Sequence, residues 1–198
     1  MKYKLIVAAL LLAILAAGVW SGLKIYSPKD KDPSMLKAEF LKGGNFQITN
    51  GDAVFRLSDL KGQVVLLYFG FTSCPDVCPT GLSVIKSAMS QLSEDADDIQ
   101  VIFVTLDPER DDIVRLKQYL PFFDDRIVGC GCTPLELATV AKQYGVYYRK
   151  VNSDNSSLGY SIDHSANFFV IDSAGSLAYV LDHSISSATL ADVIRKTD

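Results

Sequence analysis

The apolar positions of this chain fall into two rhythms that alternate along its length. Val64 to Phe71 is apolar on both faces, the mark of a central strand covered on each side. Gln100 to Leu106 has the same character, and Ile127–Val128 is a shorter third run. Between these runs the spacing changes. Leu82, Ile85, Met89 and Leu92 recur at helical intervals within Pro79 to Leu92. Asp111 to Tyr119 opens with acids and is followed by Pro121, which predicts a second helix. Pro134 to Tyr144, closed by Gly145, predicts a third. Phe46 to Thr49 and Ala53 to Leu57 flank Asn50-Gly51 and read as a hairpin. Val146 to Val151 reads as a strand and Asn152 to Gly159 as a polar loop. Phe168 to Ile171 and Leu177 to Leu181 form a further hairpin around Asp172-Ser173-Ala174-Gly175, and Ser186 to Lys196 a closing helix. Strands alternating with helices, then a terminal hairpin and helix, predict an α/β sandwich with a mixed sheet. In such sheets ligands bind beyond the carboxyl ends of the parallel strands. Three loops lie at that end: one with Cys74 and Cys78, one starting at Asp107, and one with Cys130 and Cys132.

The first 26 residues follow neither rhythm. Leu5 to Trp20 is an unbroken run of sixteen residues, all apolar apart from Gly18, behind Lys2 and Lys4. Extended to Ile25 it offers about 20 residues, enough for a bilayer span. A secretory signal peptide with Ala16-Ala17-Gly18 as a weak small-residue site is the competing reading. The run continues past that site through Val19 and Trp20, which favours an uncleaved anchor over residues 1–26. No cysteine lies near it, which excludes a lipoprotein. Residues 27–38, with Pro28, Pro33 and alternating Lys and Asp, read as a linker, and 39–198 as the folded domain. The basic flank should stay in the cytoplasm and the remainder be exported. Without an Arg- and Ser-rich leader, the expected location is a bacterial inner membrane, with the domain facing the periplasm or cell exterior.

Charge and cysteine content narrow the function. Residues 1–26 hold three of the 19 basic residues and none of the 23 acidic ones, so the exported part carries a net −7. A negative domain without a basic run is not a nucleic-acid binder. Four cysteines in a chain of 198 residues are too few for a disulfide-stapled mini-fold. The domain is expected to fold on its apolar core, leaving the thiols for chemistry.

Cys74 and Cys78 stand in the stretch CPDVCP, between the first buried strand and the first helix. Thiols at i and i+4 fall on one face if the helix starts there. A helix N-terminus favours thiolate over thiol, and thiolate is both a redox nucleophile and a soft-metal ligand. As an inert disulfide the pair would close too short a loop to stabilise much.

Four stretches in order, SDLKGQVVLLYFGFTSCPDVCPT, VTLDPERD, ELATVAKQYGVYYRKV and YSIDHSANFFVID, resemble the thioredoxin-like SCO/SenC family of copper proteins that assist cytochrome c oxidase assembly. The resemblance runs from about Phe46 to the C-terminus. It implies a thioredoxin-like three-layer sandwich with a mixed central sheet, beside the N-terminal hairpin and the single N-terminal membrane helix. It also implies one copper ion, Cu(I) or Cu(II), held by Cys74, Cys78 and His164, and a role for Asp107. The implied partner is the oxidase subunit that carries a dinuclear copper site, to which such proteins deliver copper or whose thiols they keep reduced. Other copper carriers or thiol oxidoreductases are possible partners. In the thioredoxin-like layout His164 precedes a strand that starts at the active end, so its ring can face the cysteine turn. Two thiolates and an imidazole suit copper in either oxidation state, though zinc accepts the same ligand types. Asp163 is a candidate to orient His164, or a turn residue; Asp107 is a candidate to tune the site, or a helix cap; Asp76 is a candidate docking residue or a local cap.

Cys130-Gly131-Cys132 departs from that family, which has no cysteines here. A disulfide across such a small ring would be strained and easily reduced. The pair reads as a second dithiol exchanging with Cys74 and Cys78, as an extra soft-metal site, or as two small residues in a turn. His183 reads as a surface histidine. The leading function is thus a membrane-anchored copper chaperone. The alternative is a thiol-disulfide oxidoreductase, which makes enzymatic activity an open question. A thiol peroxidase would need Thr or Ser three residues before Cys74, where Phe71 stands.

Overall fold

The computed structural model describes residues 35–37, 41, 43–152 and 159–197. They belong to a compact unit spanning Ser34–Asp198. The N-terminal membrane helix expected over 1–26 lies outside the described residues. Among the described residues no helix is long and apolar enough to cross a membrane.

The strands are β1 (Met35–Lys37), β2 (Gln47–Asn50), β3 (Ala53–Arg56), β4 (Val64–Gly70), β5 (Ile99–Thr105), β6 (Ile127–Cys130), β7 (Tyr148–Asn152), β8 (Tyr160–His164), β9 (Asn167–Ile171) and β10 (Leu177–Asp182). The α-helices are α1 (Val77–Leu92), α2 (Ile113–Tyr119), α3 (Pro134–Tyr144) and α4 (Ser187–Arg195). Six strands form one sheet in the order β1-β10-β9-β4-β5-β6, and β2-β3 and β7-β8 are separate ribbons. β4, β5 and β6 are parallel, whereas β9, β10 and β1 run antiparallel to their neighbours. The sheet is therefore mixed, as expected.

The two-faced apolar runs explain the layering. Val64, Leu66 and Tyr68 of β4, with Val101 and Phe103 of β5, join α1, α4 and Leu116 of α2 in one core. The alternate residues Val65, Leu67, Phe69, Ile102 and Val104 join α3 and the β2-β3 ribbon in a second core on the opposite face. The pleat sends successive side chains to opposite sides, so one continuous apolar strand serves both layers. Helix α3 starts on a capping box between Thr133 and Glu136, with Pro134 just inside. The same Glu136 carboxylate accepts from the Thr49 amide at 2.9 Å and hydroxyl at 2.8 Å, fastening the ribbon to the helix.

Several boundaries differ from expectation, three of them in how strands form. Met35–Lys37 was expected within the linker but pairs with β10 as an edge strand. Asn50 pairs with Ala53, so the ribbon turns on Gly51-Asp52 rather than Asn50-Gly51, with Gly51 at φ 65°. The segment Tyr160–His164 was not expected as a strand, yet it pairs with β7 from Tyr148↔His164 to Asn152↔Tyr160. With three of its five residues polar, it gives only a faint strand signal, and its pairing partner fixes it.

At Gly81 of α1 a Cβ would lie 2.7 Å from the Tyr68 ring carbon Cζ, well inside contact distance. Tyr68 is fully buried, stacks on Phe168 with centroids 5.2 Å apart, and donates to the Val77 carbonyl at 3.2 Å, so it cannot step aside. Gly81→Ala should lower unfolding stability by about 1–3 kcal/mol, read as a lower denaturant midpoint at unchanged slope; an unshifted midpoint would refute this packing.

Candidate metal centre

The turn after β4 carries Cys74 into the mouth of helix α1. That helix starts at Val77, two residues before the sequence pattern suggests, so Cys78 lies in its first turn. The N-cap residue Asp76 makes no side-chain capping bond. A sulfur does part of that work: the Cys78 amide donates to Cys74 Sγ at 3.4 Å. A backbone donor aimed at sulfur, at the positive end of a helix, stabilises thiolate. Gly70 makes the approach possible, because a Cβ there would meet Cys78 Sγ at 3.0 Å and the Phe103 ring at 3.0 Å.

His164 arrives from the other side, at the end of β8. Its Nε2 lies 3.4 Å from Cys78 Sγ, and its Nδ1 lies 3.0 Å from the Ser165 carbonyl oxygen. A carbonyl can only accept, so Nδ1 carries a proton and Nε2 is the ring atom that faces the sulfurs. The edge of the Phe71 ring packs at 5.7 Å and fixes the plane of the imidazole. The ligand atoms of Cys74, Cys78 and His164 all lie within 4.8 Å of one another. Ligands about 2.0–2.3 Å from a common ion must be mutually separated by roughly 3.3–4 Å, so this cluster fits one ion with little adjustment. Among the described residues it is the one such group.

The two thiols are electrostatically unequal. Cys74 is held well below the usual thiol range, first by its hydrogen bond with Cys78, then by His164 and the amides of Asp76 and Cys78, which together outweigh burial. Cys78 moves the other way, because its bond with Cys74 and its burial keep the proton on it. For His164 burial works against protonation, but the bond to Cys74, the Ser165 carbonyl and the charges of Cys74 and Asp163 raise it overall. The metal-free site thus holds one thiolate, one thiol and an imidazole of raised proton affinity.

The expected supporting residues are distributed unevenly. Asp107 is 3% exposed and caps no helix. It pairs with Arg110 Nε and accepts from the Tyr160 hydroxyl at 2.8 Å. The Arg110 guanidinium lies 3.7 Å over the Tyr160 ring, and Lys150 Nζ 3.8 Å over it. Tyr160, Ile162 and His164 share one face of β8, so this clamp holds the ribbon that delivers His164. Asp163 points to the other face and pairs with Arg149 at 2.8 Å, both more than half exposed. The Ser165 carbonyl, not Asp163, orients the imidazole. Asp76 is exposed beside the cysteine turn. His183 is at the surface beside Asp182, 3.5 Å away.

Cys130 ends β6, fully buried, and Cys132 is partly buried with its thiol 3.7 Å from the Thr105 carbonyl. Both are free thiols that pack in the α3-side core. Burial pushes each up to about 12, which leaves them neutral. The Gly131 amide between them donates to Asn50 Oδ1 at 3.0 Å, which holds the turn to the β2-β3 ribbon.

Sequence reasoning missed Asp111. Its carboxylate is 1% exposed and accepts from the Thr72 amide at 2.8 Å, the Thr72 hydroxyl at 2.5 Å and the Thr105 hydroxyl at 2.9 Å. The signal was available: two acids precede helix α2, and one N-cap position cannot use both. Asp112 takes it, accepting from the Arg115 amide at 2.7 Å.

The SCO1/SenC family model matches residues 35–197. The SCO2-like protein of Rickettsia felis is 38% identical over 135 residues, covering 67% of this chain and 65% of that protein. The match therefore spans just under two thirds of that relative's length. The solved structure of Bradyrhizobium japonicum ScoI with copper bound is similar with a TM-score of 0.71 and 34% identity, covering 79% of this chain and 99% of that one. Arabidopsis thaliana ScoI with copper bound is similar with a TM-score of 0.71 and 30% identity, covering 78% and 96%.

Of the four thiols in the metal-free, reduced protein, Cys74 should alkylate first with iodoacetamide. It should keep reacting at a pH where an ordinary thiol is protonated, while Cys130 and Cys132 should react only on unfolding. Peptide mapping by mass spectrometry reads this directly; Cys130 or Cys132 modified ahead of Cys74 would contradict the thiol environments described above.

Proposed function

This chain belongs to the SCO1/SenC family, and from that premise we propose that it takes up one copper ion through Cys74, Cys78 and His164 and passes it on. The observation that carries the proposal is the convergence of those three ligand atoms within 4.8 Å, from two separate elements. The donor set fits the cargo. Thiolate favours Cu(I), and an imidazole with a free Nε2 accepts both oxidation states. The receiving partner is the subunit of cytochrome c oxidase that carries a dinuclear copper site, by resemblance to the family. Residues 1–26 anchor the chain in a bacterial inner membrane with the domain on the outer side. Asp107 acts at a distance through Tyr160 and the β8 ribbon rather than as a ligand.

A second reading, thiol-disulfide exchange at the same pair, is favoured by the depressed Cys74 thiol. A thiolate beside a resolving thiol is the arrangement such exchange requires. The two readings describe one site with and without its metal. Cys130 and Cys132 lie outside the ligand cluster of Cys74, Cys78 and His164 on which both readings rest.

The exported domain should retain one copper ion through gel filtration. His164→Ala should abolish retention, and Cys130→Ser combined with Cys132→Ser should preserve it. Absence of copper retention by the wild type, with reduction of a disulfide substrate intact, would replace the first reading with the second. Copper binding should also tighten as pH rises. Cys78 keeps its proton and His164 has a raised proton affinity, so the ion must displace protons to bind. Affinity measured with competing chelators across the neutral range checks this, and a flat profile contradicts it.

A further inference from the structure

We propose that Asp111 is a positioning residue of this centre, fixing the Phe71–Cys74 turn so that Cys74 meets Cys78 and His164; the inference rests on the copper reading above. Asp111 stands just ahead of helix α2, away from the ligands in sequence. Its buried carboxylate nevertheless ties three elements together. It takes the amide and hydroxyl of Thr72, two residues before Cys74, at 2.8 Å and 2.5 Å. It takes the hydroxyl of Thr105, the last residue of β5, at 2.9 Å. Arg115 of α2 lies 3.5 Å from the second oxygen. The Arg115 Nε also donates to the Thr72 hydroxyl at 2.5 Å, and its Nη2 reaches Ser73 Oγ at 3.4 Å. Thr105 in turn accepts from the Asp107 amide at 2.9 Å, so the Cys74 turn and the start of the Asp107 loop share one anchor.

The arrangement is costly unless it holds something. A carboxylate this deep needs every lone pair satisfied, and here each partner is a group of the turn, of the end of β5, or of the helix that follows. Charge-assisted bonds of this kind are short and directional, so they set the path of Phe71–Cys74 more firmly than neutral bonds would. The position of Cys74 depends on that path, because its sulfur must receive the Cys78 amide while facing His164. Outer groups that hold ligands in this way typically account for about 10–100-fold in metal affinity.

The test uses the exported domain with Asp111→Asn, Thr72→Val and a control, Leu190→Ala, which weakens the α4 core far from the site. Three quantities are read well below each variant's melting temperature: Cu(I) affinity, Cys74 alkylation rate in the metal-free protein, and melting temperature. Asp111→Asn should weaken copper binding by roughly tenfold or more and change the Cys74 rate. Thr72→Val should do part of the same, and the double variant should be no worse than Asp111→Asn alone. Leu190→Ala should melt lower yet keep wild-type affinity and Cys74 rate. If Asp111→Asn does not fold, Thr72→Val carries the test alone. Wild-type affinity and Cys74 rate in a folded Asp111→Asn or Thr72→Val protein would overturn the proposal. If the wild type itself retains no copper, the copper reading fails, while the metal-free Cys74 rate still decides the role of Asp111.

Discussion

The bond from the Cys78 amide to the Cys74 sulfur is the contact on which the site depends. It exists because helix α1 begins at Val77, close enough to the turn for a sulfur to serve its first free amides. The helix can sit there because Gly70 and Gly81 leave room for Cys78 and for the Tyr68 ring. The two thiols differ chemically chiefly through the hydrogen bond between their side chains. One sulfur is surrounded by donors and ionises; its neighbour, four residues on, keeps the proton. Cys130 and Cys132 show the contrast within the same chain. Cys130 is buried and Cys132 partly buried without a donor set of that kind, and burial, with neighbouring negative charge, leaves them neutral.

The third ligand has a different mechanical origin. Cys74 and Cys78 are built on the central strand and its following helix, whereas His164 stands on a two-stranded ribbon outside the main sheet. That ribbon is held by Ile162 in the core and by the Tyr160 clamp of Asp107, Arg110 and Lys150. Two buried carboxylates therefore divide the work around the centre. Asp111 faces the turn that carries Cys74, and Asp107 faces the ribbon that carries His164. Both lie in the short stretch after β5, between the two halves of the site. This explains how one loop without a metal ligand of its own can matter to the centre.

For the copper transfer proposed above, the division suits release. Two of the candidate ligands come from the turn after β4 and the start of α1, and the third from a separate ribbon. The ribbon's backbone pairing is confined to β7 and β8, so side-chain packing and the Tyr160 clamp are what hold His164 in place. In the proposed transfer, uptake displaces the protons that Cys78 and His164 regain on release.

Much of this was legible along the chain. The two-faced apolar runs of β4 and β5 and the helical spacing of α1 and α3 determine the layers, because only a covered strand and an amphipathic helix satisfy those patterns. The CPDVCP stretch and the DHS motif pointed to Cys74, Cys78 and His164, which the fold brings together. Other features were decided only in three dimensions. The edge strand Met35–Lys37 and the ribbon strand Tyr160–His164 take their form from partners distant in sequence, Leu181 to Tyr179 and Tyr148 to Asn152. Asp163 adjoins His164 in sequence but faces away, because neighbours in a strand point to opposite sides. Asp111 looks like a helix cap until the fold brings Thr72 and Thr105 to it. The sequence by itself determined which residues could bind a metal and what layers would carry them. Tertiary structure alone decided which thiol ionises, which acids support the ligands and which cysteines stay apart, since those properties arise from contacts between segments far apart in the chain.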